Sequence, residues 1–174
     1  MGTDPSAVPA ADGGRSRRAG ETQVTLAQLM LPKDANFLGT IHGGLILKLI
    51  DEAAGVAAFR FCHGDAVTAH IDQIDFHHPV QVGSLVTLRA SVNYAGRTSM
   101  EVGVRVESED LSTGEIIHTN SAYLVLVALD ERRRPTEVPK LVPETEVEQR
   151  RWAEAERRRR RRAALQSESP DRGD

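Results

Sequence analysis

The chain has 174 residues, 40% of them apolar, and a formal net charge of −3. That suits one domain with a single core plus tails, and it lacks the overall basic character of a nucleic-acid or membrane-surface binder. Cys62 is the only cysteine, which excludes an intramolecular disulfide, and no apolar run approaches the roughly 20 residues that span a bilayer. With no signal peptide in view, a reducing, cytoplasmic setting is expected.

Residues 1–20 are rich in Gly, Pro, Ala and Arg and lack hydrophobic periodicity, so they read as a disordered leader. Order is expected from near Thr22. The imperfect alternation from Gln23 to Met30 suits a half-buried strand, and Pro32 to Gly39 reads as a loop of turn-forming residues. The spacing of Leu45, Leu49, Glu52, Ala53 and Val56 predicts a helix from about Gly43 to Phe61, apolar almost all round apart from Lys48, Asp51, Glu52 and Arg60 and therefore largely buried. His63-Gly64-Asp65 closes it, with a glycine near the C-cap. Four strand-like segments follow, roughly 66–76, 84–94, 98–109 and 115–129, separated by Gly- and Pro-bearing turns. This order, a strand, one central helix and then a long antiparallel meander, defines an α+β fold.

Beyond Asp130 three prolines punctuate a linker. Glu144 to Leu165 then reads as a charged helix carrying six consecutive arginines, Arg157 to Arg162. A solvated or subunit-packing helix with Glu/Arg pairs at i,i+4 is favoured over a basic arm for phosphate-bearing partners, because Trp152 stands alone as an aromatic there. The division expected is therefore a leader (1–20), one domain (21–140) and a charged C-terminal helix and tail (141–174).

Chemistry concentrates between Asp34 and Asp51. Gly43-Gly44 at the mouth of the helix leaves its first N–H groups open, suited to hold a developing oxyanion; close packing against the sheet explains the pair equally well. Asp51 lies among the apolar helix residues Leu49, Ile50, Ala53 and Ala54, where a carboxylate needs a partner or a task as general base or nucleophile. The bland alternative puts it at the helix surface beside Glu52 or paired with Lys48. Gly44 and Asp51 are seven residues apart, about 10 Å along a helix. One helix therefore hardly serves one carbon with both, whereas antiparallel helices of two subunits can, which implies a symmetric oligomer. Asn36 in the preceding loop can orient a water or a carbonyl, or be an ordinary turn residue. His42 reads as a helix N-terminal residue and Cys62 as structural. No zinc-ligand spacing and no Gly-x-Ser-x-Gly elbow occurs, so neither a metal nor a cofactor is expected. Gly96-Arg97-Thr98-Ser99 suits a phosphate-bearing ligand or a plain hairpin turn.

The stretch Asp34-Ala-Asn-Phe-Leu-Gly-Thr-Ile-His-Gly-Gly, with Lys48-Leu-Ile-Asp-Glu-Ala-Ala-Gly, resembles the cytosolic and brain-type acyl-CoA hydrolase branch of the hotdog thioesterases. Thr68-Ala-His-Ile-Asp-Gln-Ile-Asp-Phe-His-His-Pro-Val and Gly96-Arg-Thr-Ser-Met-Glu-Val resemble the next two blocks of the same family. The likeness spans about Thr22 to Pro139 and leaves out the arginine-rich tail. It implies a hotdog fold of about five strands curved around one helix, with dimers joined edge to edge and three dimers assembled into a hexamer. It also implies hydrolysis of acyl-CoA to fatty acid and CoA. Asp51 and Asn36 would be catalytic from opposite sides of a subunit interface, Gly43-Gly44 would hold the carbonyl, and Gly96, Arg97, Thr98 and Ser99 would meet the CoA nucleotide. Asp51 would activate water or attack directly. The partners implied are the acyl-CoA substrate and further copies of the chain; neither membrane nor nucleic acid is called for. Two other classes compete: an acyl-thioester hydratase or dehydratase pressing His42 or His70 into service, and a non-enzymatic acyl-CoA-binding regulator.

Overall fold

A computed structural model describes residues 16–168. Its elements are β1 (Ser16–Arg18), β2 (Val24–Leu29), α1 (Gly43–Cys62), β3 (Ala66–Phe76), β4 (Leu85–Ala95), β5 (Ser99–Glu109), β6 (Ile116–Ala128), β7 (Lys140–Val142) and α2 (Glu146–Glu168). Short 3-10 turns at Ala19–Thr22 and Pro32–Asp34 complete the set. The part of the expected leader up to residue 15 lies outside the described residues. The remainder is ordered, because β1 pairs in parallel with β7 and thereby joins the two ends of the domain.

Five strands form one antiparallel sheet in the order β2-β4-β5-β6-β3. The expected simple meander holds only for β4, β5 and β6. β3 does not pair with the strand that follows it; it crosses to the far edge and pairs with β6. That leaves room for α1, which follows β2 and precedes β3, to lie along the face between the two edges and touch all five strands.

The core forms where one face of α1 meets that sheet. Ile46, Leu49, Ile50, Ala53, Ala54, Ala57, Ala58 and Phe61 pack against Val86, Leu88, Val92, Met100, Val102, Val106, Leu124 and Leu126, all buried. The four alanines bring the helix backbone close to the strands. Each fully buried aliphatic side chain contributes roughly 1.5–3 kcal/mol relative to exposure. On α1 the polar exceptions Lys48, Asp51, Glu52 and Arg60 are exposed as expected, but so are the apolar Val56 and Phe59. Asp51, Glu52, Val56, Phe59 and Arg60 form an exposed side. At its end the left-handed residue is His63 (φ 50°, ψ 40°), one position before the expected glycine, and its N–H closes on Phe59 O.

Irregularities in the strands carry consequences. Asn93 is the unpaired residue of a bulge between Val92 and Tyr94, and its amide lies over Gly103 of β5, where any Cβ would collide with it. A Gly103→Ala variant is expected to lose roughly 1–3 kcal/mol of stability, read as a lower midpoint in a thermal or urea melt. An unchanged midpoint would mean that Asn93 swings aside at no cost. In β3 two shifts leave Ala69 and Asp72 without partners on β6. Thr68 is opposite Leu126 and Ile71 opposite Leu124, both inward positions, while His70 is opposite Val125 on the outer face. Strict alternation from Thr68 would instead send His70 inward.

α2 lies on the outer face of the sheet. A capping box starts it: Thr145 Oγ1 accepts from Glu148 N–H at 3.2 Å, and Glu148 Oε2 accepts from Thr145 N–H at 3.0 Å. Trp152 packs on Tyr94 with ring centroids 5.4 Å apart, and Ala155 is fully buried. The solvated helix expected from composition is found on its outward side, where Glu156 and Arg160 pair at i,i+4. Arg158 and Arg162 instead turn inward onto strand carboxylates. Among the described residues no helix is long and apolar enough to cross a membrane.

Candidate active site

The loop before α1 is built by its own polar side chains. Asp34 Oδ2 accepts from Leu31 N–H at 3.0 Å, and Asp34 O accepts from His42 N–H at 2.9 Å. Asn36 turns the next four residues. Its Oδ1 accepts from Leu38 N–H at 2.8 Å and Thr40 N–H at 3.3 Å, and its Nδ2 donates to Thr40 Oγ1 at 3.0 Å. Gly39 closes the turn at φ 83°, a conformation that glycine adopts without a Cβ penalty. The tip is apolar and nearly bare: Phe37 is 96% and Leu38 73% exposed. Two large apolar side chains so exposed at one loop tip make an apolar patch of the kind that marks interaction surfaces.

His42 is the N-cap of α1, and its Nδ1 accepts from Gly44 N–H at 3.0 Å. A Cβ on Gly44 would sit 3.1 Å from that Nδ1. The second glycine therefore gives room to the histidine ring, not to the sheet. Gly43 faces Phe76 of β3, whose ring would lie 3.7 Å from a Cβ there. With Gly44 N–H on His42 Nδ1 and Leu45 N–H on His42 O, the N–H of Gly43 has no partner among the described residues, at a helix end where the dipole favours negative charge.

Asp51 stands on the exposed side of α1, about two turns beyond the glycines. Lys48 pairs with Glu52 at 3.5 Å and leaves Asp51 alone. The partner of Asp51 is Thr68, whose hydroxyl donates to Oδ1 at 2.6 Å from the adjoining edge strand. Its Oδ2 has no protein donor among the described residues. The arrangement is a carboxylate held by one oxygen and open at the other, as a proton acceptor requires. Thr68 escaped the reading of the sequence: its signal is an inward register on β3, which pairing with β6 reveals and spacing alone does not. His70, three residues from Gln73 on the same strand, lies on the other face of the sheet and does not approach Asp51 by its register.

Gly96–Ser99 makes the hairpin between β4 and β5, closed by Gly96 N–H to Ser99 O at 2.8 Å. Arg97 is exposed, and its carbonyl accepts from Val138 N–H at 2.9 Å, so the guanidinium projects from an anchored backbone. This turn lies at the end of the sheet where Ala66 pairs with Ala128, beside the C-terminal end of α1. Gly43 lies at the Phe76 end. The two groups are thus separated within one chain by the length of a 20-residue helix, about 30 Å. An antiparallel second copy against the β3 edge would bring the Arg97 turn of one chain toward the Gly43 end of the other. Apolar side chains gather along that edge and the exposed side of α1: Val56, Phe59, Val67, Ile71 and Phe76 are all at least two-fifths exposed.

Cys62 is buried and donates to Gly64 O at 3.1 Å. Burial pushes its thiol above the ordinary range, which leaves it protonated and unsuited to nucleophilic attack.

A helix packed along one face of a five-stranded antiparallel sheet, with a threonine-held carboxylate on its uncovered side, has the architecture of the hotdog thioesterases. Residues 38–115 match the family model of the thioesterase superfamily. Over 141 residues the chain is 45% identical to Protein VdlD of Helicobacter pylori, an alignment covering 81% of this chain and 80% of that one. A hexameric acyl-CoA thioesterase solved in its apo form superposes with a TM-score of 0.84 at 40% identity, covering 87% of this chain and 97% of the other. The acyl-CoA hydrolase of Staphylococcus aureus, solved with butyryl coenzyme A, coenzyme A and coenzyme A disulfide, gives a TM-score of 0.83 at 33% identity over 89% and 94% of the two chains. Variants of that hydrolase with an aspartate, an asparagine or a threonine replaced by alanine have been solved as well. The chain belongs to the thioesterase superfamily, among its hotdog-fold acyl-CoA thioester hydrolases.

Proposed function

We propose that this protein hydrolyses acyl-CoA thioesters to a free carboxylic acid and CoA at a site split between two copies of the chain. The observation that carries the reading is the Asp51–Thr68 pair on an exposed face rimmed by apolar side chains. The asparagine, aspartate and threonine replaced in the S. aureus variants lie 15 and 17 residues apart, the intervals that separate Asn36, Asp51 and Thr68.

In this mechanism the thioester carbonyl rests at the start of α1, where the Gly43 N–H and the helix dipole meet the oxygen as it becomes negative. Gly44 N–H joins it when the His42 ring swings away. Asp51 of the partner copy takes a proton from water through Oδ2 while Thr68 holds Oδ1. The water oxygen bonds to the carbonyl carbon, the C–S bond breaks, and the departing thiolate takes the proton that Asp51 accepted, which returns Asp51 to its carboxylate form. Asn36, on a loop beside the Gly43 end, positions the water or the carbonyl. The exposed Arg97 guanidinium and the Thr98 and Ser99 hydroxyls suit the CoA phosphates. Three such dimers would assemble as a hexamer, the state of the similar apo thioesterase, and the compartment proposed is the cytoplasm.

The experiment is thiol release from a panel of short, medium and long acyl-CoAs, run beside hydration of crotonyl-CoA. Hydrolysis without hydration is expected, since His70 faces away from Asp51 by register. Hydration without thiol release would replace this reading with the hydratase one.

A further inference from the structure

The arginine run of α2 has a task that neither its composition nor hydrolysis of the thioester explains. β3 carries Thr68, lies at the sheet edge and is paired on one side only, to β6. Its two bulges, at Ala69 and Asp72, interrupt that pairing within five residues. A slip of one residue there would turn Thr68 from the inner to the outer face and remove its hydroxyl from Asp51. Something must pin the register, and backbone pairing is weakest where the bulges fall.

α2 supplies the pin from the opposite face. The unpaired residue Asp72 turns its carboxylate outward, where Arg162 Nη1 donates to Oδ2 at 2.6 Å. The same Nη1 lies 3.6 Å from Glu101 Oε2 on β5, so one guanidinium reaches across β6 from β5 to β3. One turn earlier, Arg158 Nη2 donates to Glu101 Oε1 at 2.7 Å and its guanidinium lies 3.7 Å above the Tyr123 ring of β6. Glu101 is 2% exposed, and the side chains of Asp72, Arg158 and Arg162 are each less than one-fifth exposed. Two guanidiniums meet two carboxylates over three strands, and His70 Nε2 lies 3.7 Å from the other oxygen of Asp72. Arg158 uses the fork of its guanidinium, Nε and Nη2, on Glu101, whereas Arg162 reaches both carboxylates through Nη1. Within the run Arg158 and Arg162 reach the strand carboxylates; Arg157, Arg159, Arg160 and Arg161 are exposed, Arg159 with its guanidinium 5.7 Å from the Tyr94 ring of β4.

We propose that Arg162 is a positioning residue: by gripping Asp72 at the bulge it sets the register in which Thr68 meets Asp51. The proposal rests on the thioester-hydrolysis reading above. It assigns α2 to the site without contact with substrate.

The test uses the full chain and the acyl-CoA it hydrolyses best. Arg162→Gln is expected to lower kcat roughly ten- to hundred-fold, the scale of a displaced catalytic contact, with KM little changed. Arg162→Lys should recover part of the loss, and Arg161→Gln on the exposed side should leave kcat unchanged. In a Thr68→Ala background Arg162→Gln should cost nothing more, because the contact it positions is already gone. Hydrogen exchange should quicken in the β3 amides and not in α1. An unchanged kcat in Arg162→Gln, or an equal loss with and without Thr68, overturns the proposal. If Arg162→Gln fails to fold, Asp72→Asn with the same Thr68→Ala comparison decides the matter by the same two criteria. Failure of the underlying reading looks different: the unaltered protein would release no thiol, or Thr68→Ala would be as active as the parent, and the proposal would fall with it.

Discussion

Replacing Asp51 by asparagine or alanine is expected to lower kcat for acyl-CoA hydrolysis by roughly 10²–10⁴-fold, the usual contribution of a positioned general base. That corresponds to about 3–5 kcal/mol of transition-state stabilisation. Stability should change little, because Asp51 is on the exposed side of α1 and its one side-chain hydrogen bond among the described residues is to the Thr68 hydroxyl. Thermal melts and size-exclusion profiles of the variants should therefore match the parent. Asparagine keeps the shape and still accepts from Thr68, yet it cannot take a proton from water, so Asp51→Asn isolates the chemistry from the geometry. A single turnover in ¹⁸O-labelled water should place the label in the released acid and leave the Asp51 carboxylate unlabelled. Label in the carboxylate would identify direct attack, and near-parental turnover of both variants would remove Asp51 from the reaction.

The second expected result concerns the division of the site. Asn36→Ala and Asp51→Ala should each be nearly inactive alone, and mixing them under conditions that exchange subunits should restore activity. Random pairing makes about half of the dimers mixed. Each mixed dimer holds one intact site and one doubly altered site, so recovery should approach about a quarter of the parental rate. The expectation follows from placement in the chain. The Asn36 loop stands at the start of α1, Asp51 lies about 10 Å and more along it, and the Arg97 turn lies beyond its far end. A substrate that meets all three needs a second, antiparallel chain. The nearly bare Phe37–Leu38 tip and the apolar β3 edge give that chain a surface to cover. Recovery no greater than the sum of the two variants would place Asn36 and Asp51 in one chain's site.

Much of this protein was legible before any coordinates. The 3.6-residue spacing of apolar side chains gives α1 to within one residue at its C-terminal end, and period-two alternation with breaker turns gives four strands to within two residues or so at each boundary. These features are local, because they depend on which side chains a helix or strand turns to the same face. Candidate residues such as Asp51, Asn36 and Gly43-Gly44 were visible for a similar reason: a carboxylate amid apolar neighbours and a glycine pair at a helix mouth are compositional anomalies that a single sequence displays. What tertiary structure decided was everything that depends on pairing. Nothing in β3 announces that it leaves β4 for β6, and only that pairing turns Thr68 inward to Asp51 and His70 away. The polar residues Lys48, Asp51, Glu52 and Arg60 mark the uncovered side of α1, but that Val56 and Phe59 share it follows from which side the sheet covers. The arginine run divides into solvent-facing and sheet-facing members only because Glu101 and Asp72, 57 and 90 residues away from their partners in the chain, come to the outer face together. Local patterning determines the elements, and long-range contact determines which of their polar groups meet, since charges and hydroxyls act over a few ångströms whatever their distance in sequence.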